Sequence, residues 1–136
     1  TIDHCASNCV SNQNYRNVVD DKATAVFQGK VHVHQIAQKT DGYQMAKSLL
    51  LSGQATVNTK PELEIYADDV KCSHGATTGR LDEEALFYLR ARGIPEKQAR
   101  NLLIQAFVNE VIENISSDEV REQSELVVGR WLMEQA

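Results

Sequence analysis

The chain has 136 residues, 42% apolar and 24% charged, the balance of a soluble globular protein with material for one ordinary domain or two small layers. Its formal net charge is −5 and no run of Lys or Arg stands out, which argues against nucleic-acid binding through a basic face. No apolar stretch approaches the roughly 20 residues of a membrane span, and the opening residues carry no signal-peptide or transit pattern.

Residues 1 to 22 are polar and rich in Asn, Ser and Asp. Thr1 opens the chain and TIDHCASNCVSN has no apolar run, so the sequence reads as an excised piece or a processed product. Cys5, Cys9 and Cys72 make an odd set, a poor fit to a secreted disulfide framework and a better one to a reducing cytoplasm. His4, Cys5 and Cys9 form an H-C-x-x-x-C group, a weak zinc signal because no second ligand pair follows at finger-like distance. Incidental cysteines are the expectation there. A short strand is expected over Tyr15 to Val19, with Asp20-Asp21 as a turn.

Residues 23 to 37 carry the next strand signal, with Gly29 read as a bend or bulge between two segments. Val31 and Val33 alternate with His32 and His34, so the two histidines share a face opposite the valines. They have the arrangement of paired ligands, and equally that of a solvated strand face, which is the commoner outcome. Thr40-Asp41-Gly42 reads as a turn with Gly42 at positive φ. Leu49 to Leu51 reads as a short strand buried on both faces. Ala55 and Val57 begin another, and Asn58 to Pro61 reads as a corner. Leu63 and Ile65 alternate with polar residues, Asp68-Asp69 makes a corner, and Val70, Cys72 and His74 alternate with Lys71 and Ser73. In an extended strand Cys72 and His74 then share one face, roughly 7 Å apart, the spacing of a metal or redox pair. Short strands with polar corners and no interstrand helix suit a β-sandwich or a parallel β-helix, and periodicity does not choose between them.

After Gly79 the period changes. Asp82 is placed to cap a helix with Glu83 and Glu84 in its first turn, and Gly93 is a natural C′ residue. Ile94-Pro95 begins a second helix of about 20 residues, or about 30 Å. Its expected apolar stripe is Ala99, Leu102, Leu103, Ala106, Phe107, Val111 and Ile115, with Ile104, Val108 and Ile112 partly off the stripe as a docking surface. Ser116 with Glu119 has capping-box spacing and opens a third helix through Val120, Val127, Val128, Trp131 and Leu132.

The stretch KPELEIYADDVKCSHGATTGRLDEEALFYLRARGI, followed by ARNLLIQAFVNEVIE, resembles the C-terminal part of the SufD family, scaffold subunits of SUF iron–sulfur cluster assembly. The match runs from about Ala23 through Glu113. The resemblance implies a mainly β fold with C-terminal helices: residues 1–80 as the last coils of a right-handed parallel β-helix, and residues 81–136 as a small α-helical domain that docks the ATPase SufC. It also implies pairing with SufB, which typically carries Glu after the motif His, where this chain has Gly75. A nascent iron–sulfur cluster, shared transiently with SufB and not expected on the isolated chain, would meet positions matching Cys72 and His74, with His74 the stronger ligand. The resemblance gives no role to His4, Cys5, Cys9, His32 or His34.

The leading expectation is therefore a non-enzymatic scaffold subunit, since no G-x-x-x-x-G-K-[ST] loop, Ser-His-Asp set or paired-carboxylate arrangement is evident. The alternative is a stand-alone metal- or redox-active protein working through Cys72 and His74, joined by Cys9. A β-helix cut open exposes unpaired edges, so the isolated chain is expected to self-associate, with a homodimer as the simplest form.

Overall fold

The structure is a computed structural model that describes residues 1–134. Six strands precede three helices: β1 (Ile2–His4), β2 (Val10–Val19), β3 (Thr24–Val33), β4 (Asp41–Leu50), β5 (Thr56–Ile65), β6 (Lys71–Arg80), α1 (Glu83–Ala91), α2 (Glu96–Ile112) and α3 (Asp118–Glu134). The chain divides into two compact units, Thr1–Gly79 and the segment from Arg80 onward.

Within the first unit the strands alternate between two sheets, β1-β3-β5 and β2-β4-β6. Every pairing with a defined register is parallel: Ile2 lies beside Val31, Val10 beside Asp41, and Thr24 beside Thr56. Each position thus meets its counterpart roughly 30 residues later, the winding of a parallel β-solenoid with two strands per coil. A β-sandwich of antiparallel hairpins is ruled out by that pairing.

The corners repeat with the strands. Asn8 donates its N–H to Gln38 O, and Lys39 donates to Asp69 O one coil later. Both donors take the left-handed conformation, at φ 60°. The expected turn at Gly42 is thereby displaced: the positive φ falls on Lys39, and Gly42 lies inside β4. Its missing side chain serves packing instead. A Cβ at Gly42 would stand 3.3 Å from Cys72 Sγ, 3.6 Å from Val31 Cγ1 and 3.7 Å from Ser11 Oγ. On the opposite side of the coil, Ser52 Oγ donates to Asp21 O and accepts from the Ala55 N–H at 2.9 Å, which ties one corner to the next.

Two further expectations are corrected. Gly29 makes no bulge; it sits in register beside Pro61 in a continuous β3. The corner at Asn58 to Pro61 is absent, because β5 runs straight through it. Pro61 is tolerated there because β5 is an edge strand among the described residues, with no partner beyond it that needs the missing N–H.

The core lies between the sheets, where Val31, Val33, Ala37 and Ala67 are buried and Leu63, Val70 and Cys72 pack against them. Part of the interior is polar: buried Gln44 donates to Gln13 Oε1 at 3.2 Å, and Asn17 donates to buried Ser48 at 3.2 Å. These bonds satisfy the interior amides only in part: Gln13 Nε2 and Gln44 Oε1 are buried without a hydrogen-bond partner.

In the helical unit, Asp82 caps α1 by accepting from the Glu84 N–H at 2.9 Å and the Ala85 N–H at 3.2 Å. Gly93 follows the helix at φ 87°. The third helix begins one residue later than the Ser116 spacing suggested, with Ser117 O accepting from the Arg121 N–H at 2.9 Å. The α2 stripe also differs. Ala99, Ile104 and Ile112 are its buried residues, whereas Leu102 is 48% exposed. Helix α2 packs on both α1 and α3, so in the row expected to dock a partner Ile104 and Ile112 are buried, while Val108 is only half-buried.

Candidate functional site

Strand β6 carries Cys72 and His74 at alternate positions, as its period requires. Cys72 is half-buried on the inward face, beside Gly42 and against the valine core. Burial pushes its thiol above the usual cysteine range, a backbone hydrogen bond from Gly42 acts the other way, and the Asp41 carboxylate adds to the rise. His74 shares the inward register, yet it is exposed. The chain passes from β6 into α1, so no following strand of the other sheet faces it.

The two side chains therefore differ in access. Cys72 is expected to react roughly tenfold more slowly with iodoacetamide at neutral pH than exposed Cys5, because the thiolate is the nucleophile and Cys72 is both shielded and held protonated. Its rate should climb only at a pH above that of an ordinary thiol. Mass spectrometry of the alkylated peptides measures this, and equal rates would show Cys72 to be open to solvent.

The H-C-x-x-x-C group does not converge. His4 is buried and its Nε2 hydrogen-bonds Ser11 Oγ at 2.8 Å, whereas Cys5 is exposed. The three cysteines are free thiols.

A second cluster lies on the outward face of the other sheet. Asp3, His32 and Glu64 stand side by side on β1, β3 and β5. His32 Nδ1 lies 2.7 Å from Asp3 Oδ1, and His34 Nε2 lies 3.3 Å from the same oxygen. The two imidazoles are tilted neighbours with centroids 4.3 Å apart, and Tyr66 meets His32 edge-on at 5.6 Å. The His32 hydrogen bond holds the Asp3 carboxyl below the usual carboxylate range. Lys30 at 2.8 Å and the Tyr66 hydroxyl at 2.7 Å hold Glu64 down at about 2. The sequence places His32 and His34 on one strand face and favours a solvated face there over paired ligands. It gave no local sign of Asp3, which reaches them only through the pairing of β1 with β3.

Parallel two-strand coils, a helical unit after them and a Cys-x-His pair on the sixth strand define a β-solenoid protein with a thiol and an imidazole two residues apart on an edge strand. Residues 1–107 match the family described as SUF system FeS cluster assembly, SufBD core domain, and the chain belongs to that family. It is 46% identical over 131 residues to the iron–sulfur cluster assembly protein SufD of Escherichia coli, covering 96% of this chain and 31% of the relative. It is 51% identical over 105 residues to an iron–sulfur cluster assembly SufBD family protein of Synechocystis, covering 77% and 23%. A third relative, protein ABCI7, chloroplastic, of Arabidopsis thaliana, is 50% identical over 107 residues, covering 79% and 22%. The chain thus spans less than a third of the length of these relatives. The SufD resemblance carried by the stretch around Cys72 is borne out. No helix among the described residues is long and apolar enough to cross a membrane.

Proposed function

We propose that the chain acts in iron–sulfur cluster assembly as part of a non-enzymatic, SufD-type scaffold subunit. It pairs with SufB and contributes His74, with Cys72 behind it, to a nascent cluster held between the two subunits. The observation that carries this reading is the contrast on β6: His74 is exposed at an open sheet edge, while Cys72 stands two residues away with its thiol turned toward the core. Imidazole and thiolate both ligate iron. Two ligands leave a site unfinished, so a partner surface has to supply the rest, and a cluster held that loosely is suited to transfer. The cluster is cargo here, not a resident cofactor.

Docking of the ATPase SufC is assigned to the helical unit. An open apolar groove of about 750 Å³ runs between α2 and α3, lined by Val108, Val111, Ile115, Val120, Val127 and Val128. Chemical work then enters through the partner, and the three free thiols suit a reducing compartment such as the cytoplasm.

The test is anaerobic reconstitution of the full-length protein with iron and sulfide, alone and with SufB and SufC. His74→Ala is expected to lower cluster formation in the complex by roughly tenfold or more, with a smaller loss for Cys72→Ala. A stable chromophore on the protein alone, or full activity of both variants in the complex, would overturn the assignment.

A further inference from the structure

We propose that Asp3, His32 and His34 form a second metal site, separate from Cys72 and His74, that binds one divalent first-row transition ion such as zinc, cobalt(II) or iron(II). Two imidazoles and a carboxylate are a donor set that favours such ions over calcium or magnesium, which prefer oxygen ligands throughout.

The geometry is close to that of a loaded site. One ligand atom from each residue lies within 4.8 Å of the other two. Ligands bonded at about 2.0–2.2 Å to a common ion sit about 3 Å from one another. The separations from Asp3 Oδ1, 2.7 Å to His32 and 3.3 Å to His34, straddle that value. Only the gap between the two ring nitrogens has to close, which side-chain rotation supplies. Asp3 Oδ1 faces both rings at once; an ion bound between the three side chains would engage all three groups.

The backbone holds the ligands in place. Val33 stands between the two histidines and is fully buried, which fixes His32 and His34 on the outward side. Asp3 lies in register with His32, the His34 N–H donates to His4 O at 3.1 Å, and His4 is anchored to Ser11. Asp3 and His32 lie on paired strands, which hold ligands more tightly than loops do, and His34 directly follows β3. Tyr66, edge-on to His32, limits rotation of that ring. Asp3 is 54% exposed and His34 45% exposed, so an ion can enter and water can complete its coordination.

Cobalt(II) is the probe, titrated anaerobically into the full-length protein and followed by its visible d–d bands and by calorimetry. One ion per chain is expected, without the near-ultraviolet thiolate charge-transfer band that cysteine ligation produces. His34→Ala should weaken binding roughly 100-fold. Asp3→Asn should weaken it as well, while Cys72→Ser and His74→Ala leave it unchanged. His34 is half-exposed, so unchanged circular dichroism of His34→Ala keeps a loss of binding separate from a loss of fold. Absence of binding, a thiolate band, or binding indifferent to His34→Ala would each overturn the site. Cluster assembly is not the readout, so failure here leaves the scaffold reading standing, and the reverse.

Discussion

Gly29→Ala is expected to destabilise the β unit by about 1–3 kcal/mol, whereas Gly75→Ala costs less than about 1 kcal/mol. The first contact is equally short in both cases: the new Cβ would stand 2.6 Å from Gln44 Nε2 at Gly29, and 2.6 Å from Met45 Cε at Gly75. What differs is the freedom of the neighbour. Gln44 is fully buried, its amide donates to Gln13, and a Cβ at Gly29 would meet three of its terminal atoms within 2.8 Å. Moving that amide breaks the hydrogen bond and leaves a buried polar group without a partner, a penalty of about 1–3 kcal/mol by itself. Met45 is half-buried and its thioether tip is unbranched and adaptable, so a rotamer change clears the space. For a unit of this size each kcal/mol shifts the melting temperature by about 4–8 °C. The single Trp131 lies in α3, so its fluorescence follows the helical unit, and hydrogen exchange of the β3 and β4 amides follows the β unit. Equal losses in the two variants would show that the Gln44 amide is not wedged.

Gly29 also shows which parts of the fold were legible. Strand parity was readable, because alternation of Val31 and Val33 with His32 and His34 follows from the pleat alone. Helix ends were readable where local backbone chemistry fixes them, as at the Asp82 cap that starts α1 and at Gly93 just past its end. Glycine and proline inside a strand mislead when read as punctuation. In a solenoid, Gly29 and Gly42 are placed for close approach of side chains from neighbouring strands, and Pro61 is admitted by an edge. The left-handed corner fell on Lys39, a residue type with no preference for it. The candidate site divides the same way. Cys72 and His74 are two residues apart and could be read as a pair, and family resemblance rather than spacing supplied their role. Asp3 is a full coil away from His32, so only the sheet brings them together.

The same distinction decides what the helical unit should do when probed. Ile104→Asp is expected to unfold it, at a cost of more than about 4 kcal/mol, because a charge would replace an isoleucine only 4% exposed, on a helix packed between two others. Far-UV circular dichroism and Trp131 fluorescence would register the loss. Val127→Asp should behave in the opposite way. Val127 is 55% exposed on the wall of the α2–α3 groove, where a charge remains hydrated and costs about 0.5 kcal/mol or less. If that groove seats the proposed SufC partner, Val127→Asp removes apolar area from the interface and leaves an unpaired carboxylate inside it, weakening binding at least tenfold by titration calorimetry. Helicity must be unchanged for that loss to count as interface loss. A folded Ile104→Asp would mean that the α2 row does not hold the unit together, and unchanged SufC binding by a folded Val127→Asp would place the docking surface elsewhere. The contrast between the two variants is informative because both replace one apolar side chain by the same carboxylate, so the difference lies in burial alone.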